Sequence, residues 1–131
     1  MLHPQLAADC HLLLEWSQCD ILLNRNALVP WFILIPRTET PDLLDLPTDQ
    51  REAILNEAAI VARFIRERWG LQKINIAQLG NVVPQMHLHI IGRNVDDDCW
   101  PRPIWGNLSR HKDYTAREVE EITQQLQQFD H

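Results

Sequence analysis

Gln85, His87 and His89 fall at every second position of the segment Pro84-Gln85-Met86-His87-Leu88-His89-Ile90-Ile91-Gly92-Arg93. On an extended strand, successive side chains point to opposite faces. The three polar residues then share one face, spaced about 6–7 Å apart, and Met86, Leu88 and Ile90 share the other. A core strand has no structural need for two imidazoles and an amide in a row. Such a row supplies hydrogen-bond donors, acceptors and a nucleophile. The residue types alone leave three readings open. His87 and His89 are plain half-exposed strand residues; or two imidazoles two apart share a metal ion; or an imidazole, poised near neutrality, does nucleophilic or acid–base work. A zinc site normally takes three or four protein ligands, and none of His3, His11, His111 and His131 stands at a spacing that announces a third. No metal ligand set is assigned, and the proposed chemistry requires no cofactor.

The elements that must position this row follow from patterning. A helix is expected over 4–16, with Leu6, Leu12, Leu13 and Leu14 as its apolar residues. Residues 19–24 and 31–36 form two apolar strands joined by a turn rich in asparagine and ending in proline, an antiparallel pair. A connection through Pro41 leads to a long helix over 49–69, with Thr48 as N-cap, Asp49 in the first turn and Gly70 as C-cap. Its stripe of Ile54, Ala58, Val61, Ile65 and Trp69 has helical spacing. A strand over 73–78 and the histidine-bearing strand over 85–92 form a second hairpin. A final helix begins at Thr115, whose Thr-x-x-Glu spacing to Glu118 makes a capping box. Strand pairs with helices between them give an α+β sheet protein.

The chain has 131 residues, 45% of them hydrophobic, which points to one folded domain over 1–131. Twelve basic against eighteen acidic residues give a net charge of −6, which argues against nucleic acid on a broad basic surface but leaves room for a small phosphorylated ligand. The three cysteines lack Cys-x-x-Cys spacing, the start of the chain has no signal-peptide pattern and no apolar run reaches membrane length. A cytoplasmic protein with no membrane partner is the expectation. Asp96, Asp97 and Asp98 read as a solvated loop, and Arg93 as a strand-end charge or a phosphate holder. The proline-stiffened segment from Trp100 to Gly106 is suited to capping a ligand, meeting a partner or packing on the core.

The segment Gln85-Met86-His87-Leu88-His89-Ile90-Ile91 resembles the signature of the histidine triad (HIT) family, with glutamine at the first of three histidine positions. Asn24-Arg25, Pro30 and the strand from Trp31 to Pro36 are similar to the family's first hairpin. The resemblance covers most of residues 18–93. Gly80-Asn81-Val82-Val83-Pro84-Gln85, with Trp100-Pro101 and Trp105-Gly106, is similar to a bacterial subgroup. The resemblance implies an antiparallel sheet of about five strands with helices packed on it, usually doubled into a homodimer. It implies a small-molecule nucleotide ligand at the exposed sheet face. His87 takes the place of the residue that attacks the α-phosphorus of a nucleoside phosphate derivative, giving a nucleotidyl-histidine that water or another acceptor resolves. His89 is the hydrogen-bonding partner of phosphate, and Gln85 the flanking residue that cannot titrate. Asn24 is placed on the ribose hydroxyls, Asn81 on phosphate, and Ile21 and Leu23 beside the base. Phe32 stands where many relatives carry a further histidine. With Gln85 and Phe32 in those places, the alternative is a nucleotide-binding regulatory protein that has lost turnover.

Overall fold

The computed structural model describes residues 1–129, so that His131 lies outside the described residues. The order is α1 (Pro4–Asp9), β1 (Cys10–Glu15), β2 (Cys19–Asn24), β3 (Trp31–Pro36), α2 (Thr48–Trp69), β4 (Lys73–Ala77), β5 (Leu88–Arg93) and α3 (Ala116–Gln128), with a short 3-10 turn at Leu43–Asp45 before α2. The five strands form one sheet in the order β1-β2-β3-β5-β4, antiparallel throughout. This is the expected α+β architecture. Among the described residues no helix is long and apolar enough to cross a membrane.

Strand alternation decides which side chains meet the helices. Ile21 and Leu23 of β2, Phe32 and Leu34 of β3, and Met86, Leu88 and Ile90 at β5 bury against Ile54, Ala58, Val61, Phe64 and Ile65 of α2 and Ile122 and Leu126 of α3. The capping box at Thr115 and Glu118 is present. α2 ends on Gly70 at φ +67°, a left-handed conformation that costs a glycine little. Gly92 has a different reason to be glycine. A Cβ there would lie 2.6 Å from Ile65 Cγ2 and 2.8 Å from Leu71 Cδ1, so its bare backbone lets β5 seat against α2.

The other sheet face is covered only at its flanks. Leu6 of α1 packs with Cys10, Leu22, Ile33, Ile35 and Val83. Ile91 packs with Val29, Cys99 and Ile104. Trp31 touches both groups, and a cleft remains between them.

Four expectations are corrected. The helix foreseen over 4–16 stops at Asp9, and Cys10–Glu15 is a strand paired with β2. Long-range pairing outcompetes local helix preference here: Glu57 on α2 accepts the Gln18 and Cys19 backbone N–H groups, each at 2.9 Å, and anchors the β1–β2 hairpin. A register shift between Leu12 and Leu14 breaks the period that would have marked the strand. Thr48 is the first residue of α2 rather than its cap; Pro47 occupies that place and makes no side-chain cap bond. The β4 strand ends at Ala77, the last residue paired with β5, and the Gln78 side chain ties down the connection before α2, accepting from Leu43 N and donating to the Pro41 carbonyl. Finally, β5 begins at Leu88, so Gln85 and His87 precede it.

Candidate functional site

The cleft on the uncovered face has a volume of about 380 Å³, within the roughly 300–1,000 Å³ range of small-molecule sites. His89, Ile33 and Trp31 line it from the sheet, His87 from just ahead of β5, Leu6 and Asp9 from α1, Asn24 from the end of β2, residues 79–83 from the loop before β5, and Trp105 from the segment after β5. His89 has Ile33 and Ala77 as its neighbours on the adjoining strands, so it rises between two smaller side chains.

Both imidazoles are largely buried, at 6% exposure for His87 and 5% for His89, with ring centroids 5.0 Å apart and planes inclined by 70°. His87 Nδ1 lies 2.7 Å from the backbone carbonyl oxygen of Gln85. A carbonyl can only accept, so Nδ1 carries a hydrogen, and in the neutral ring Nε2 is then the nitrogen with the lone pair. His89 Nδ1 lies 3.0 Å from the indole nitrogen of Trp31. The Trp105 ring stands edge-on to His89, centroids 5.1 Å apart. Burial, with a smaller contribution from neighbouring His87, pushes His89 down to about 4, so the ring is neutral at ordinary pH.

The expected residues are only partly brought together. His87, His89, Asn24 and Asn81 meet in the one cleft. Asn24 Oδ1 already accepts the Asn26 backbone N–H at 2.9 Å, so its Nδ2 amide is the group it can offer a ligand. The Gln85 side chain turns away, correcting the picture of three polar side chains on one strand face. Its Oε1 accepts the His3 backbone N–H at 2.7 Å, and its Nε2 donates to the Met1 carbonyl at 3.0 Å. The bend at 85, ahead of the strand, makes this turn possible. Gln85 reaches the cleft only through its main-chain carbonyl.

Two further placements change. Ile21 and Leu23 are fully buried on the helix side and cannot touch a base in the cleft. Phe32 is on that side too, edge-on to Phe64 and Trp69. It therefore leaves no gap beside His87, and the cleft face of β3 is formed by Trp31 and Ile33. Trp31 and Ile33 could have been found from strand alternation in β3; nothing local in the sequence announces Leu6 or Asp9 as cleft residues.

Asp97 is not a solvated loop acid, nor is Arg93 a free strand-end charge. The Arg93 guanidinium is buried and pairs with both Asp97 oxygens at 2.8 and 3.2 Å, while also donating to Asn75 Oδ1 and the Arg102 carbonyl. Burial raises the Asp97 pKa, but the Arg93 hydrogen bond, backbone N–H groups and the Arg93 charge together hold it below the usual carboxylate range. Asp98 is likewise engaged, with Ser109 and Arg110. These bonds tie the 94–110 segment to the sheet, and that segment delivers Trp105 to the cleft, while Trp100 lies against Arg93 instead. Among the described residues there is no group of three or more histidine, cysteine or acidic side chains placed to hold a metal ion.

An open antiparallel sheet with α2 and α3 on one face and a paired-histidine cleft on the other is the arrangement of the histidine triad class of protein. The sequence profile of the HIT domain matches residues 5–96, and the chain belongs to that family. Among solved structures, a histidine triad protein from Marinobacter aquaeolei is 39% identical with a TM-score of 0.89, the match covering 97% of this chain and 93% of that one. One from Bradyrhizobium japonicum is 34% identical with a TM-score of 0.90, over 98% and 96%. One from Sinorhizobium meliloti is 28% identical with a TM-score of 0.91, again over 98% and 96%. No curated protein sequence matches this chain.

Proposed function

We propose that this protein binds a nucleoside phosphate derivative and hydrolyses or transfers at its α-phosphorus through a nucleotidyl-histidine on His87. One observation supports the reading: the Gln85 carbonyl, 2.7 Å from His87 Nδ1, takes the Nδ1 hydrogen, so that the neutral form of the ring, which the chemistry uses, has its lone pair on Nε2 at the cleft. That lone pair forms the bond to phosphorus as the bond to the leaving group breaks, and the leaving atom takes the electron pair and then a solvent proton. The ring keeps its Nδ1–H, so the intermediate is a cationic imidazolium whose charge faces the Gln85 carbonyl dipole. Water next attacks phosphorus, the N–P electrons return to Nε2, a proton passes to solvent, and the nucleoside monophosphate departs. In transfer, an acceptor hydroxyl or phosphate oxygen takes the place of water.

His89 hydrogen-bonds the phosphoryl oxygens and stabilises the charge that builds on them. Asn24 and Asn81 hold the nucleotide, and Trp105 and Leu6 give it apolar walls. The family resemblance also carries a homodimer, which sedimentation would read as twice the mass of the chain. A fluorogenic adenosine 5′-phosphoramidate tests the chemistry: the protein releases the fluorophore, and a sample quenched in alkali, where an N–P bond survives, carries the nucleotidyl group on His87. Equal release by His87→Ala would end the proposal. The position of Gln85 favours one rival. Among the described residues no third imidazole enters the cleft, so a binding protein without turnover would hold AMP and release nothing.

A further inference from the structure

We infer that Trp31 is a positioning residue that fixes the tautomer and ring orientation of His89, giving the cleft two imidazoles in opposite protonation patterns. The argument begins with what an indole can do. Its Nε1–H donates and never accepts. The 3.0 Å contact to His89 Nδ1 therefore requires a lone pair on that nitrogen. In a neutral ring the hydrogen is then on Nε2. The same logic at His87, whose Nδ1 faces a carbonyl, puts the hydrogen on Nδ1 and the lone pair on Nε2. The two rings are 5.0 Å apart. One brings a lone pair to the cleft, the other an N–H. A phosphoryl group needs both: an electron pair for phosphorus and a donor for its oxygens.

Three surroundings hold the arrangement. Trp31 is wedged between the two apolar groups that flank the cleft, packing against the group that contains Ile33 and the group that contains Ile91 and Ile104. Trp105 stands edge-on to both Trp31, at 6.4 Å and 87°, and His89, at 5.1 Å and 83°. A flip of the His89 ring would place a C–H where the indole donates, which loses the hydrogen bond. A protonated His89 has no acceptor nitrogen, so the bond also selects against the cation. The low His89 pKa agrees with this. A neutral Nε2–H is a poor proton source, since giving up its proton would leave an anionic ring. His89 is thus a fixed hydrogen-bond donor, and Trp31 acts on the reaction through it.

The catalytic meaning rests on the function proposed above, but the tautomer does not. It is read without substrate, by long-range ¹H–¹⁵N correlation on the full-length protein at neutral pH. The expected spectrum has His89 unprotonated at Nδ1 and protonated at Nε2, and His87 reversed. A His89 ring protonated at Nδ1 in the unaltered protein would overturn the inference, whatever the activity. In Trp31→Phe the His89 nitrogens move toward tautomer averaging while His87 keeps its pattern; an unchanged His89 would also overturn it. Where the phosphoramidate is turned over, Trp31→Phe lowers kcat about tenfold with KM little changed, the effect of one weakened donor. The wild-type spectrum decides the matter even if the variant fails to fold. Absence of turnover with the expected spectrum would sink the proposed function and leave the tautomer standing.

Discussion

The two ends of the cleft solve one problem by different means. At the His87 end, the orienting group is the main-chain carbonyl of Gln85, in a bend just before β5. At the His89 end it is the side chain of Trp31, on a neighbouring strand and 58 positions away in sequence. Every residue has a carbonyl, so substitution at 85 alters the His87 partner only by moving the backbone. Only a side chain with the right donor serves His89. The first arrangement is robust to sequence and sensitive to chain path; the second is the reverse. The difference also assigns roles, because the carbonyl leaves His87 a lone pair and the indole leaves His89 a hydrogen.

Replacing His87 tests the robust end most severely. Under the proposed chemistry His87→Ala lowers phosphoramidate turnover by on the order of 10³-fold or more, since it removes the nitrogen that bonds to phosphorus. AMP binding, followed by calorimetry, survives because Asn24, Asn81 and the apolar walls remain. A loss of binding equal to the loss of rate would place His87 in ligand holding instead.

The His89 end has its own signature in acid. The ordinary histidine value is 6.5, and His89 is lowered to about 4 by burial and by His87. The unfolded chain takes up this proton as pH falls through 6.5, and the folded chain resists until about 4. The stability from a neutral His89 is fully present above 6.5 and is lost progressively down to 4. Its size is roughly 3 kcal/mol from the two values. The neighbours facing the ring are Ile33, Trp31, Ala77, Trp105 and His87, of which only His87 titrates. Urea midpoints across that pH range show the decline, and His89→Gln flattens this part of it. An unchanged slope in the variant would assign the decline elsewhere.

Much of this was legible in the sequence, and the failures share a cause. β2 and β3 have the expected bounds, because short apolar runs and a turn rich in asparagine are local signals. The α3 capping box and the glycine end of α2 are equally local. His87 and His89 stood out because nothing in a core explains them. What could not be read depends on distant partners. Gln85 looked like a third cleft residue because its spacing is right, but the backbone of Met1 and His3 captures its amide. Asp97 looked solvated until Arg93 was found buried beside it. Phe32 shows how sharp the strand code is: a displacement of one residue sends a side chain to the other face. The family position assigned to Phe32 thus pointed into the core, while Trp31, one residue earlier, reaches His89.

Gly92 offers a smaller, one-sided perturbation. It lies within β5, three residues beyond His89, while His87 precedes the strand. A methyl group at 92 meets Ile65, Leu71 and Pro30, and overpacking of this kind costs about 2 kcal/mol. Gly92→Ala therefore lowers the melting temperature. It also shifts the His89 ¹⁵N signals more than those of His87, because the displaced strand carries the first and not the second. Equal shifts at both rings would show that the two ends move as one body.

Substitution at 85 has the least effect, and for an instructive reason. If the carbonyl is what counts, Gln85→Ala keeps the acceptor for His87 and loses two hydrogen bonds to the N-terminal segment. Those bonds help seat α1, whose Leu6 and Asp9 form one wall of the cleft. The expected outcome is a rise in KM of a few-fold with kcat nearly constant, the mark of weaker ligand holding with intact chemistry. Gln85→His behaves in the same way, because a side chain leaving this bend is directed at Met1 and His3 rather than at the imidazoles. A large gain in kcat for Gln85→His would mean that the ring can swing into the cleft and add a third imidazole. The His87 end would then respond to side-chain chemistry after all, and the contrast with His89 would narrow to one of degree.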